Sequence, residues 1–196
     1  MTNCDGARRH VGLDRSWWWL RCSSGELDTR ILLWRKAIHV LAAVEAWPLV
    51  VLPTHVVAWI CIVVCLGTFV TQRRVPYASL AVVTLLPFVP SIAIGGAWVV
   101  FAVGDGFASP IGRAWGRRRF PGSRTKTWLG TIAFATTSMI ALAIYLLVVG
   151  RSATDAIEVG ALVSAAAAVT EAMVIWVDDD YAVTVVAGIA LAVCLR

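Results

Sequence analysis

Between Ala37 and Leu195 the chain is a series of apolar runs with few charges inside them, divided by short stretches that hold most of the ionised residues of that region. A backbone crossing hydrocarbon must satisfy its own hydrogen bonds, so runs of this kind cross as helices. About 20 residues are needed for each crossing. Of the 196 residues, 59% are hydrophobic and 15% charged, where a soluble domain carries about a quarter charged. The expectation is an all-α, polytopic integral membrane helical bundle of about seven transmembrane helices over residues 30–196. A polar, basic tail, residues 1–29, precedes it. Trp17, Trp18 and Trp19 beside Arg15 and Arg21 suit the headgroup layer, or form a sticky patch on a disordered tail.

The run from Ala37 to Val70 is broken by Pro48 and Pro53 and reads as two short spans that turn near Thr54 and His55. His55 reads as a loop residue facing solvent. A third span runs from about Val75 to Phe88 and a fourth from Ile92 to Val103. The fifth, Trp128 to Val149, is of ordinary length. The sixth, Ala156 to Val177, is rich in small residues that let helices approach closely. The seventh runs from Tyr181 to Leu195. The five cysteines form no C-x-x-C pair and no cluster with histidine, so neither a disulfide framework nor a zinc site is expected.

Fifteen of the seventeen Lys and Arg lie in residues 1–36, 73–74 and 113–126. They flank apolar runs, which points to membrane orientation and phosphate binding rather than to nucleic acid. With the N-terminus cytoplasmic, seven spans put all of these stretches, and the acids at 178–180, on the cytoplasmic face.

Five groups of residues, on that face or within the adjoining runs, are candidates for chemistry. In Gly104-Asp105-Gly106 the glycines are expected to let the chain leave helical geometry and a ligand approach. Asp105 then offers a hard oxygen to Mg²⁺. A plain turn is the competing explanation. After it come Arg113, Arg117, Arg118, Arg119, Arg124 and Lys126, cations that neutralise phosphate or simply anchor the loop. Lys126-Thr127 stands at the start of a span, where side chains and backbone N–H groups can meet phosphate. The Walker A spacing is absent. Asp178-Asp179-Asp180 places three adjacent carboxylates together, which repel unless cations offset them. Glu171 and Glu45 lie inside apolar runs, where a carboxylate is paired, protonated or functional. Glu171 falls roughly on the face of the Asp triplet. Ahead of the first span, Arg35, Lys36 and His39 fall near one another at helical spacing.

Taken together, three motifs resemble the CTP-dependent polyprenol kinase family: dolichol kinase, phytol kinase and the CTP-using diacylglycerol kinase. They are R-K-x-x-H at Arg35, Lys36 and His39; G-D-G-x-A-x-x-x-G-x-x-x-G followed by K-[ST]-x-x-G-[ST] at Gly104 to Thr131; and Glu171 followed by a D-D-N-like motif at Asp178 to Asp180. The chain departs from the family pattern at Leu129, where an acid is usual, and at Asp180, where the family has an amide. The resemblance implies transfer of the terminal phosphate of CTP, with Mg²⁺, to a membrane lipid alcohol: dolichol or another polyprenol, phytol, or diacylglycerol. It implies Asp105, Asp179 and Glu171 as metal ligands. Gly104, Gly106, Arg35, Lys36, Arg113, Arg117, Lys126 and Thr127 would bind phosphate. Asp178 or Asp179 would bind metal or take the hydroxyl proton. His39 and Asp180 complete the motifs. A cytidylyltransferase that forms a CDP-lipid and a non-catalytic membrane protein are the alternative readings.

Overall fold

Prolines cut the first half of the chain into pieces. In this computed structural model, which describes residues 36–37, 40–72, 77–121, 123, 126–173 and 178–196, a 3₁₀ turn at Ala42–Glu45 leads into helix α1 (Ala46–Val51). Pro53 ends that segment, and its carbonyl accepts from the amides of Val56 and Val57 at 2.9 and 3.2 Å as α2 (Thr54–Gln72) begins. Next come α3 (Tyr77–Leu85), α4 (Ser91–Trp115), α5 (Trp128–Val148), α6 (Ala153–Met173) and α7 (Asp179–Cys194). The described residues belong to one unit, Lys36–Arg196, and within them every regular element is helical.

Among the described residues three helices, α4, α5 and α6, are long and apolar enough to cross a membrane. The expected third span, Val75 to Phe88, is instead the nine-residue α3. At 1.5 Å per residue it reaches about 14 Å, half the hydrocarbon thickness. Its apolar residues serve the interior: Ala81, Val82 and Leu85 are buried, and Leu85 lies where a side chain at Gly188 of α7 would otherwise stand. Apolarity alone does not separate a membrane-facing run from a core-facing one.

The larger correction concerns the fourth span. It does not end at Val103, and Gly104-Asp105-Gly106 is not a loop. α4 runs unbroken through both glycines and through Pro110 to Trp115. A glycine within a helix costs up to about 1 kcal/mol relative to alanine, but here packing outweighs propensity. A side chain at Gly104 would stand 2.7 Å from the buried ring of Phe134 on α5. One at Gly112 would stand 3.2 Å from the Cα of Gly130, also on α5. These glycines are points of close helix approach. α4 is accordingly the central helix, packed against α1, α3, α5 and α7.

Contacts along α4 and α5 run in opposite order: Gly96 meets Leu142 and Tyr145, Gly104 meets Phe134, and Gly112 meets Gly130. The two helices are therefore antiparallel. At the far end of α5 the chain turns through Gly150, whose φ of 91° favours glycine. Arg151 beyond the turn donates to the carbonyl of Leu195 at 3.3 Å, which brings the start of α6 beside the end of α7. This alternation leaves the C-terminal half of α4, the 116–127 segment, the end of α6 and the start of α7 at the same end of the bundle.

Candidate functional site

Asp105 projects from α4 and forms an ion pair with Lys36. Gly106 makes this pairing possible. A side chain there would stand 2.5 Å from Val40 Cγ2 and 3.5 Å from the carbonyl oxygen of Lys36, so its absence lets Lys36 and Val40 lie against α4. Gly104 and Gly106 are thus buried packing residues on a helix, not the flexible phosphate loop expected from the sequence. Lys36 and Asp105 keep only 16% and 18% of their side-chain surface exposed.

The segment after α4 is a small hairpin. Arg119 and Thr127 form an antiparallel bridge, the Phe120 amide donates to the Lys126 carbonyl at 3.0 Å, and the Trp128 amide donates to the Arg118 carbonyl at 3.1 Å. The Ser123 amide closes the turn on the Phe120 carbonyl at 3.1 Å, with Pro121 at a favoured central position. The rings of Phe120 and Trp128 pack with centroids 4.6 Å apart. The hairpin delivers Lys126 to the bundle end. There its ammonium donates to Glu171 of α6 and, at 2.5 Å, to Asp179 of α7. Burial alone would lower the Lys126 pKa, but Glu171 and Asp179 outweigh it and raise it above the ordinary lysine value. Lys126 is therefore charged throughout the neutral range.

The sequence offers Thr127 to phosphate, and the structure gives its hydroxyl a local partner. Thr127 caps α5, accepting from the Gly130 amide at 3.1 Å. Asp178 is likewise the cap of α7, accepting from the Asp180 amide at 3.1 Å. Burial, then repulsion from Asp179, raises the Asp178 pKa. Asp179 and Asp180 occupy the first turn of α7, where the helix dipole favours acids. Burial pushes the Asp180 carboxyl up to about 7, helped by repulsion from Asp105, Asp179 and Asp178 and opposed by Lys36. Asp105 and Asp179 also act on Glu171, a buried carboxylate. The ion pairs of Lys36 and of Lys126 therefore belong to one charged cluster. Five carboxylates (Asp105, Glu171, Asp178, Asp179, Asp180) surround two ammonium groups (Lys36, Lys126), drawn from five stretches of chain.

Other expected residues fall elsewhere. Arg113 is exposed on the last turn of α4, eight residues and about 12 Å along the axis from Asp105. Arg117, Arg118 and Arg119 are exposed on the hairpin. Arg35, His39 and Arg124 lie outside the described residues, as does the side chain of Glu45. His55 is exposed, in the first turn of α2. Sequence reasoning missed Tyr181, whose hydroxyl lies 3.4 Å from Thr84 Oγ1, beside Asp180. Nothing in the spacing of these two residues signals it.

Chemically, the cluster has the donor set of a hard-cation site. One carboxylate oxygen from each of Asp178, Asp179 and Asp180 can be chosen so that all three lie within 4.8 Å of one another. Such oxygens suit a divalent ion that keeps part of its water shell and carries phosphates. The acids outnumber the lysines, so with all groups ionised the cluster is net negative. Comparison of the chain with protein-family models, with curated proteins and with solved structures finds no match.

Proposed function

We propose that this end of the bundle transfers the terminal phosphate of a nucleoside triphosphate to the hydroxyl of a membrane lipid alcohol. The observation that carries the reading is the gathering of Asp105, Glu171, Asp178 to Asp180, Lys36 and Lys126 into one half-buried cluster beside apolar helices. So many mutually repelling acids at one place are costly and mark a functional site. The motif resemblance supplies the choice of CTP as donor and of a polyprenol, phytol or diacylglycerol as acceptor.

Phosphoryl transfer depends on positioning and on charge neutralisation. Asp179, with Asp105 and Glu171, would hold Mg²⁺, which when bound offsets charge on the phosphate oxygens. Lys126 contributes a point charge to the triphosphate, and the exposed Arg113 and Arg117 meet the more distal nucleotide. The acceptor lies with its tail against the apolar helices and its hydroxyl at the cluster. A carboxylate of the Asp178–Asp179 pair takes the hydroxyl proton. The oxygen forms a bond to the γ-phosphorus, the bond to the β-phosphate oxygen breaks, and CDP leaves. The site faces the cytoplasm, because the basic stretches adjoin it.

Incubating the purified protein with γ-labelled CTP, Mg²⁺ and a panel of lipid alcohols tests the reading. The expected result is label in the lipid and release of CDP. Release of pyrophosphate identifies a cytidylyltransferase instead, and no turnover of any nucleotide removes the proposal.

A further inference from the structure

Lys126 holds two acids with one ammonium group. Glu171 Oε1 on α6 and Asp179 Oδ2 on α7 both accept from its Nζ. These are two of the carboxylates that would bind Mg²⁺ in the proposed function. A small hard cation needs its oxygen ligands at about 2.0–2.1 Å, and its charge repels a neighbouring ammonium. The ammonium and the ion therefore cannot share this pair of carboxylates at full strength.

We propose that Lys126 is an internal stand-in for the divalent cation: its ammonium and the ion are alternative occupants of the Glu171–Asp179 pair, and arrival of the ion releases Lys126 toward the phosphates of the donor. This rests on the phosphotransfer reading and deepens it by coupling metal binding to the placement of the phosphate-binding lysine.

The surroundings favour such an exchange. The Lys126 backbone is fixed on both sides. Its amide donates to Ser123 Oγ at 3.0 Å, its carbonyl accepts from Phe120 at 3.0 Å, and the next residue caps α5. Only the side chain has to move. The Glu171 side chain keeps 8% of its surface exposed. A charge so buried requires a cation, and either occupant supplies one. Lys36 is held at Asp105 on the other side of the cluster. The lysine closes the site until an ion arrives, and its presence lowers the affinity for metal alone by the linkage between two mutually exclusive ligands.

The test uses Mn²⁺ without nucleotide, titrated into the full-length protein in detergent at pH 8, with free Mn²⁺ followed by electron paramagnetic resonance. Lys126→Met is expected to bind Mn²⁺ about tenfold more tightly than wild type. Lys126→Arg, which keeps the charge, is expected to bind no more tightly than wild type. Adding Glu171→Gln to Lys126→Met is expected to cancel the gain. If Lys126→Met is too unstable to purify alone, Mn²⁺ present throughout should recover it. Failure of recovery, unchanged or weaker Mn²⁺ affinity in Lys126→Met, or no Mn²⁺ binding by any variant overturns the inference. Phosphotransfer by wild type with no tightening in Lys126→Met removes this inference and leaves the phosphotransfer reading standing. Tightening in a protein that transfers no phosphate does the opposite.

Discussion

Asp180 shows what gathering carboxylates at one helix start does to each of them. Its ordinary carboxyl pKa of 3.8 is pushed up to about 7, first by burial and then by Asp105, Asp179 and Asp178. The folded state therefore holds a proton that the unfolded chain has released between these values. Stability from this group is present at low pH and falls as pH rises from about 4 through 7. In metal-free buffer the thermal midpoint of wild type should drop between pH 5 and 8, and Asp180→Asn should flatten that drop. An equal drop in both proteins would remove Asp180 as its source. In catalysis, Asp105→Asn and Lys126→Ala should each abolish phosphate transfer while the protein still inserts in the membrane. Near-normal turnover in either variant would remove that residue from the mechanism. The sequence singled these residues out, because charges in or beside apolar runs stand out. It did not show their partners. Lys36 and Asp105 are 69 residues apart, and Lys126 and Glu171 are 45 apart. No local spacing encodes such pairs.

At the scale of elements, the reading from sequence failed where glycine was taken as a helix breaker. Gly104, Gly106, Gly112 and Pro110 lie inside one 25-residue helix. Whether a glycine breaks a helix or lets another chain approach depends on what lies opposite, here Phe134, Val40 and Gly130. Those contacts are tertiary. Gly104→Leu should therefore drive a side chain into the buried Phe134 ring and destabilise the protein by about 1–3 kcal/mol, read as a lower melting midpoint in detergent. An unchanged midpoint would show that the α4–α5 contact is looser than described. The proline signals were legible for the opposite reason. Pro53 and Pro90 lack an amide hydrogen whatever surrounds them, and helices α2 and α4 begin immediately after them.

At the scale of the whole molecule, the all-helical class was legible because hydropathy is a sum over many residues and tolerates local error. The number of crossings was not. Among the described residues three helices are long and apolar enough to span, whereas short apolar helices such as α3 pack against their neighbours. The alternation of α4, α5, α6 and α7 still places the hairpin and the α5–α6 turn at opposite ends. A membrane-impermeant maleimide should label Arg117→Cys and Ser152→Cys, in a background without native cysteines, from opposite sides of the bilayer. Labelling of both from one side would contradict the arrangement.

The central claim is that Lys126 and the acids of α6 and α7 form one coupled cluster. A double-mutant cycle of Lys126→Met and Glu171→Gln, read as melting midpoints in metal-free detergent solution, addresses it most directly. Lys126→Met alone leaves the buried Glu171 without its cation, and adding Glu171→Gln relieves that charge. The double variant should lose clearly less stability than the sum of the two single losses. Additive losses would mean that the two side chains do not meet.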